Sequence, residues 1–138
     1  MHYHGFMWRG PEEQRARHRA ASHIDGPGFR SSDIPPIKTC WWLRRPAHAV
    51  RGTWDDADGA VGWMAGQYAD ISDVLRDPEP FWKPDERRRE AAIRDLSDGR
   101  DVAWGYLLDD GERAFIATVC CSPNAWEDIR CPLASDPA

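Results

Sequence analysis

Val102-Ala103-Trp104-Gly105-Tyr106-Leu107-Leu108, then Asp109-Asp110-Gly111, then Arg113-Ala114-Phe115-Ile116-Ala117-Thr118-Val119-Cys120-Cys121 is the stretch from which the fold follows. Two β-rich runs flank an Asp-Gly turn, which is the strongest short-range hairpin signal. Val102, Trp104, Tyr106 and Leu108 fall on one face by the period of two. The run from Arg113 to Cys121 is apolar on both faces, so it is expected in the interior of the sheet.

Working back from the hairpin, Pro84-Asp85-Glu86 opens a helix and Ser97-Asp98-Gly99 closes it, with Ala92, Ile93 and Leu96 facing a core. Ala60, Trp63, Met64, Tyr68 and Ile71 repeat at helical spacing after the N-cap candidates Asp55, Asp56 and Asp58, which predicts a helix over about 57–69. Residues 38–44 read as a strand, with 47–54 as its hairpin partner across Arg45-Pro46. The Gly- and Pro-rich stretch 25–37 reads as a loop. Pro11, Glu12 and Glu13 start a basic helix over about 11–23, and residues 2–8 alternate as a strand. The sum is an α+β fold, order β-α-β-β-α-α-β-β. It forms a single domain over residues 1–121, with a mostly antiparallel sheet of about four to five strands and two to three helices on one side. Residues 122–138, with Pro123, Pro132 and Pro137, are expected to form an irregular tail.

Composition excludes several classes. The chain has 138 residues, 41% hydrophobic and 11% aromatic, with eight Trp, which is too apolar for a disordered protein. No uncharged apolar run approaches the length of a membrane span, and the opening residues lack the basic and apolar regions of a secretory signal. A cytoplasmic location is therefore expected. The net charge of −5 argues against a generic nucleic-acid coat. That charge is unevenly spread: residues 1–51 carry nine basic and four acidic groups, and residues 52–138 carry nine basic and nineteen acidic ones. Such asymmetry points to an anionic partner or to attraction between the halves within one fold. Sixteen of the 18 basic residues are Arg, a bias that a GC-rich genome also produces.

Four clusters carry candidate chemistry. His2 and His4 share a strand face about 7 Å apart, suited to metal ligation or acid–base work, with His48 or an Asp as a further group. Trp41-Trp42 followed by Arg44-Arg45 presents an indole beside two guanidinium groups on an alternating strand. Trp8 with Arg9, and Trp104 with Tyr106, offer further aromatic surface, or one shared pocket with Phe6 if their strands are neighbours. The cysteines Cys40, Cys120, Cys121 and Cys131 lack the paired C-x-x-C spacing of most zinc sites. Adjacent Cys120 and Cys121 point to opposite faces of a strand and can hardly both bind one ion, so reduced, inert thiols are expected, the alternatives being a structural metal and a disulfide or reactive thiol involving Cys131. Phosphate loops, dinucleotide fingerprints and nucleophile elbows are absent from the sequence.

These readings favour a non-catalytic binding or regulatory module. It would present Trp8, Arg9, Trp41, Trp42, Arg44, Arg45, Trp104 and Tyr106 to an anionic protein surface or an anionic small molecule, with no cofactor, no membrane and nucleic acid less favoured. The alternative is a small cofactor-independent enzyme acting on an aromatic or polycyclic metabolite, with His2, His4 or His48 as acid–base groups.

Overall fold

The computed structural model describes residues 1–121 and 123–134. Its regular elements are β1 (His2–Pro11), α1 (Glu12–Arg17), β2 (Gly52–Trp54), α2 (Ala57–Ile71), α3 (Glu86–Ser97), β3 (Val102–Leu107) and β4 (Glu112–Cys121). The strands form one antiparallel sheet in the order β2-β1-β4-β3. The hairpin turns at Asp110 and Gly111, both at positive φ, a backbone region that Gly and Asp tolerate better than most residues. The doubly apolar run became β4, an interior strand paired on both sides.

The two sheet faces are covered differently. On one, α2 and α3 pack over Tyr3, Val102, Tyr106, Ala114, Ile116 and Cys120. Helix α2 buries Ala57, Ala60, Val61, Met64, Ala65, Tyr68 and Ile71, one stripe at helical spacing, and starts where Asp56 accepts the Gly59 N–H at 2.6 Å. Trp54 and Trp63 lie together over Gly5 of β1; a Cβ there would meet the Trp63 ring at 2.7 Å, so this close approach requires glycine. On the other face, Phe6, Trp8, Ala117, Val119 and Cys121 are covered by Ile34, Cys40, Trp42, Leu43 and Ile129, drawn from segments without regular α-helix or strand.

Several local expectations are corrected. Residues 39–44 form a 3-10 helix, not a strand, so Gly52–Trp54 pairs with β1 and not with that segment. Burial decides this. Cys40, Trp42 and Leu43 are all buried against the sheet, and a flat strand would turn Leu43 to the side opposite Trp42. The basic helix is cut short at Arg17, followed by a 3-10 turn over Arg19–Ser22. None of the residues of α1 is buried; it is held by the internal pairs Arg15–Glu12 and Arg17–Glu13 and by contacts to β4, Arg113 with Glu12 and Arg15 over the Phe115 ring, each of which contributes little. Strand β1 runs on to Pro11, where a helix was expected to begin. Residues 123–134 contain no helix or strand; Pro137 lies outside the described residues.

Asp101 joins the sheet to the following segment. Its Oδ1 accepts the Cys120 N–H at 2.9 Å and the Asn124 side-chain N–H at 2.8 Å, whereas its buried Oδ2 has no hydrogen-bond partner among the described residues. Burial outweighs these bonds and raises its carboxyl to about 6. Because the folded value lies above the unfolded one, folding takes up a proton, and the charged side chain costs stability as pH rises from about 4 to 6. Asp101→Asn retains an oxygen for both donors. The variant is expected to match the parent in urea denaturation near pH 4.5 and to exceed it by about 1–2 kcal/mol at pH 8; a constant difference between these pH values would contradict the assignment.

Candidate metal centre

The sheet register assembles a four-ligand cluster at one corner. His2 and His4 lie two residues apart on β1 and so share a face. Antiparallel pairing sets His2 directly opposite Cys121 at the end of β4. The C-terminal segment then crosses this face, anchored by buried Ile129, and brings in Cys131. Ligand atoms of His2, His4, Cys121 and Cys131 all lie within 4.8 Å of one another. Among the described residues no other set of three or more His, Cys, Asp and Glu side chains forms such a group.

Three of the separations match one face of a tetrahedron. His2 Nε2 and His4 Nε2 are 3.1 Å apart, and Cys131 Sγ lies 3.3 Å from His4 Nε2 and 3.6 Å from His2 Nε2. A tetrahedral zinc ion with bonds of about 2.0–2.1 Å to nitrogen and about 2.3 Å to sulfur implies edges of roughly 3.3 Å between nitrogens and roughly 3.6 Å between nitrogen and sulfur. His4 is also oriented from behind: its Nδ1 is 2.9 Å from the Thr53 hydroxyl of β2. With Nδ1–H donating to Thr53, the Nε2 lone pair points into the cluster, the outer hydrogen bond characteristic of metal-ligating histidines. Register explains that contact too, because Thr53 pairs with His4 across β1 and β2.

Burial governs the protonation of the cluster. His4 is 1% exposed, and burial, with His2 as a lesser cause, lowers it to about 4. It is therefore neutral at physiological pH, the ligating form. Burial, together with the neighbouring Cys131 thiol, pushes the Cys121 thiol up to about 12. A bound cation acts in the opposite sense and favours thiolate.

Of the residues singled out from sequence, His2 and His4 are brought together, and His48 stands apart on an exposed 3-10 turn. Cys120 and Cys121 do face opposite sides: Cys120 packs with the α2–α3 core and Cys121 joins the cluster. The aromatic set is divided by the sheet. Trp8 and Phe6 belong to one face and Trp104 and Tyr106 to the other, on strands separated by β4, so they line no common pocket. Tyr106 is buried against Tyr68, and its hydroxyl donates to the Trp82 carbonyl at 2.9 Å. Arg9 pairs with Glu112 at 3.2 Å.

The Trp41–Arg45 segment is mostly turned inward. Trp42 stacks on Phe6 with ring centroids 5.1 Å apart. Arg45 is 2% exposed; it donates to the carbonyls of Ser32, Ala21 (3.2 Å) and Ile34 (2.7 Å) and lies over the Phe29 ring. It holds the 25–37 loop from within. Only Arg44 and part of Trp41 reach the surface. There Trp41 Nε1, Arg44 and Lys38 all converge on Glu127, at 3.1, 3.0 and 3.3 Å. Part of the sequence's charge split is thus neutralised inside the fold.

No known family model, curated protein or solved structure matches the chain.

The contrast between neighbouring arginines is measurable. Arg45→Ala leaves three carbonyls without their charged donor and is expected to cost about 3 kcal/mol or more in urea unfolding. Arg44→Ala, at an exposed pair, is expected to cost less than about 1 kcal/mol. Equal effects would mean that Arg45 is not the internal anchor described.

Proposed function

We propose that the protein is a non-catalytic domain that binds one zinc ion through His2, His4, Cys121 and Cys131, and that the ion fastens the C-terminal segment across the sheet. The observation that carries this reading is the convergence of two imidazole nitrogens and two thiols, from β1, β4 and the C-terminal segment, within 4.8 Å of one another, three of them spaced as one face of a zinc tetrahedron. Two nitrogens and two sulfurs suit zinc better than magnesium or calcium, which prefer oxygen. Four protein ligands fill a tetrahedral shell and leave no position for substrate, the mark of a structural site. This replaces the expectation of a domain without any cofactor.

A second reading keeps the anionic partner. Lys38, Trp41 and Arg44 form a three-donor seat for one carboxylate, and Glu127 fills it. A carboxylate-bearing protein surface would bind by displacing Glu127, using the surface part of the Trp-Arg segment.

The metal reading is tested by titrating metal-free protein with Zn2+ and weighing the product by native mass spectrometry. One Zn2+ per chain is expected, and excess metal should stabilise the fold, by about 2.7 kcal/mol at a hundred times the dissociation constant. Cobalt in the same site should show thiolate charge transfer and tetrahedral d–d bands. Cys131→Ser should weaken binding at least about 100-fold and Thr53→Val about tenfold, whereas Cys40→Ser, outside the cluster, should change neither. Failure to bind Zn2+ at micromolar concentration would reject the proposal.

A further inference from the structure

The sheet has two edges of different character. At β2 the edge strand is three residues long, which leaves little backbone to pair. At β3 it is six residues, Val102-Ala103-Trp104-Gly105-Tyr106-Leu107, with no charge and no proline to deter another strand. Among the described residues only its far end is closed, where Leu75 bridges Leu108 and the Arg76 N–H reaches the Leu107 carbonyl. Along the rest, a groove of about 440 Å³ runs between the strand and α3, lined by residues 101–105 on one side and by Arg88, Ala91, Ala92 and Asp95 on the other. Exposed apolar side chains flank it: Phe81 is 80% exposed, Trp82 57% and Leu107 43%.

The groove is polarised and self-complementary. Arg88 lies at its Trp82 end, 4.2 Å from that ring. Asp95 lies seven residues further along α3, toward the start of β3. The midpoint between Arg88 and Asp95 falls beside Ala91, whose small side chain permits close approach of another helix, and the midpoint of the strand falls beside Trp104. A twofold axis through both midpoints would pair β3 with its copy antiparallel, set the two α3 helices side by side, and bring Arg88 of each chain to Asp95 of the other. Twofold contacts of this isologous kind are the commonest way that soluble chains self-associate.

We propose that the β3 edge and α3 form the interface of a symmetric dimer, in which a second copy of this chain continues the sheet to eight strands. The occupant is a second copy because the charge pattern complements itself under the symmetry that antiparallel edge pairing imposes. This proposal is independent of the metal centre, and zinc titration bears on neither its success nor its failure.

Sedimentation equilibrium of the full chain tests it. The parent is expected to be a dimer. Arg88→Glu alone and Asp95→Arg alone each set like charges together and should raise the dissociation constant at least about tenfold. Mixed in equal amounts, these two variants should form a one-to-one heterodimer, since both contacts are then between opposite charges; the double variant should recover dimerisation by itself. Ala103→Lys, a charge on an exposed edge position, should give a monomer with unchanged circular dichroism. A parent that stays monomeric into the millimolar range would overturn the proposal. So would a dimer indifferent to all three single substitutions, or one that the mixed variants fail to restore.

Discussion

The pairing of β1 with β4 is the constraint on which the other features depend. Ten consecutive residue pairs, His2↔Cys121 through Pro11↔Glu112, run without interruption. Side chains alternate across a strand, so a slip of one residue would exchange the two faces of β1. Phe6 and Trp8 would then turn toward α2, and Gly5 would no longer lie beneath the Trp54 and Trp63 rings. His2 and His4 would leave Cys121. Core packing therefore enforces the register, and the register in turn builds the four-ligand cluster. The cluster needs no separate device to position three of its four members.

The same pairing explains why a fastening belongs at this corner. Helices α2 and α3 cover one face with a continuous apolar layer whose backbone hydrogen bonds are internal to each helix. The opposite face is covered by 3-10 turns and loops, whose backbone lacks the continuous internal bonding of a helix and depends on specific polar anchors. Arg45 supplies one anchor, donating to three carbonyls of the surrounding chain. Glu127 supplies another, and Cys131, four residues on, a third. A metal ion held as proposed by β1, β4 and this segment would add a further attachment to a cover that has no regular helix or strand.

Legibility in the sequence followed the range of the interactions. The hairpin and α2 were readable because their determinants are local: an Asp-Gly turn between β-rich runs, and an apolar stripe behind a capping Asp. Residues 38–44 misled because Lys-Thr-Cys-Trp-Trp-Leu-Arg has the composition of a strand, whereas its shape is set by burying Cys40, Trp42 and Leu43 together on a sheet contributed by distant residues. The site divided in the same way. His2 and His4 were legible from a period of two. Cys121 and Cys131 were not legible as their partners, because they lie more than 115 positions further along the chain without C-x-x-C spacing, and only the β1–β4 register brings them together. One signal was present: adjacent cysteines on a strand must face opposite sides, so Cys121 had to share a face with one end of its neighbouring strand.

The charge split between residues 1–51 and the remainder also takes on a different meaning. Within the fold, Arg9 meets Glu112, Arg113 lies near Glu12, and Lys38 and Arg44 meet Glu127. Each of these pairs joins the basic first segment to the acidic remainder. Singly, exposed pairs of this kind contribute little. Glu127 differs because two cations and an indole N–H converge on it, and this holds its carboxyl below the usual range. The arrangement gives the C-terminal segment an electrostatic attachment near its middle and a thiol attachment a turn later. An anionic partner approaching Trp41 and Arg44 would compete with Glu127 alone, while Cys131 kept the segment in place. The two proposed bindings would thus be separable on this face, although one short stretch of chain, Glu127 to Cys131, would serve both.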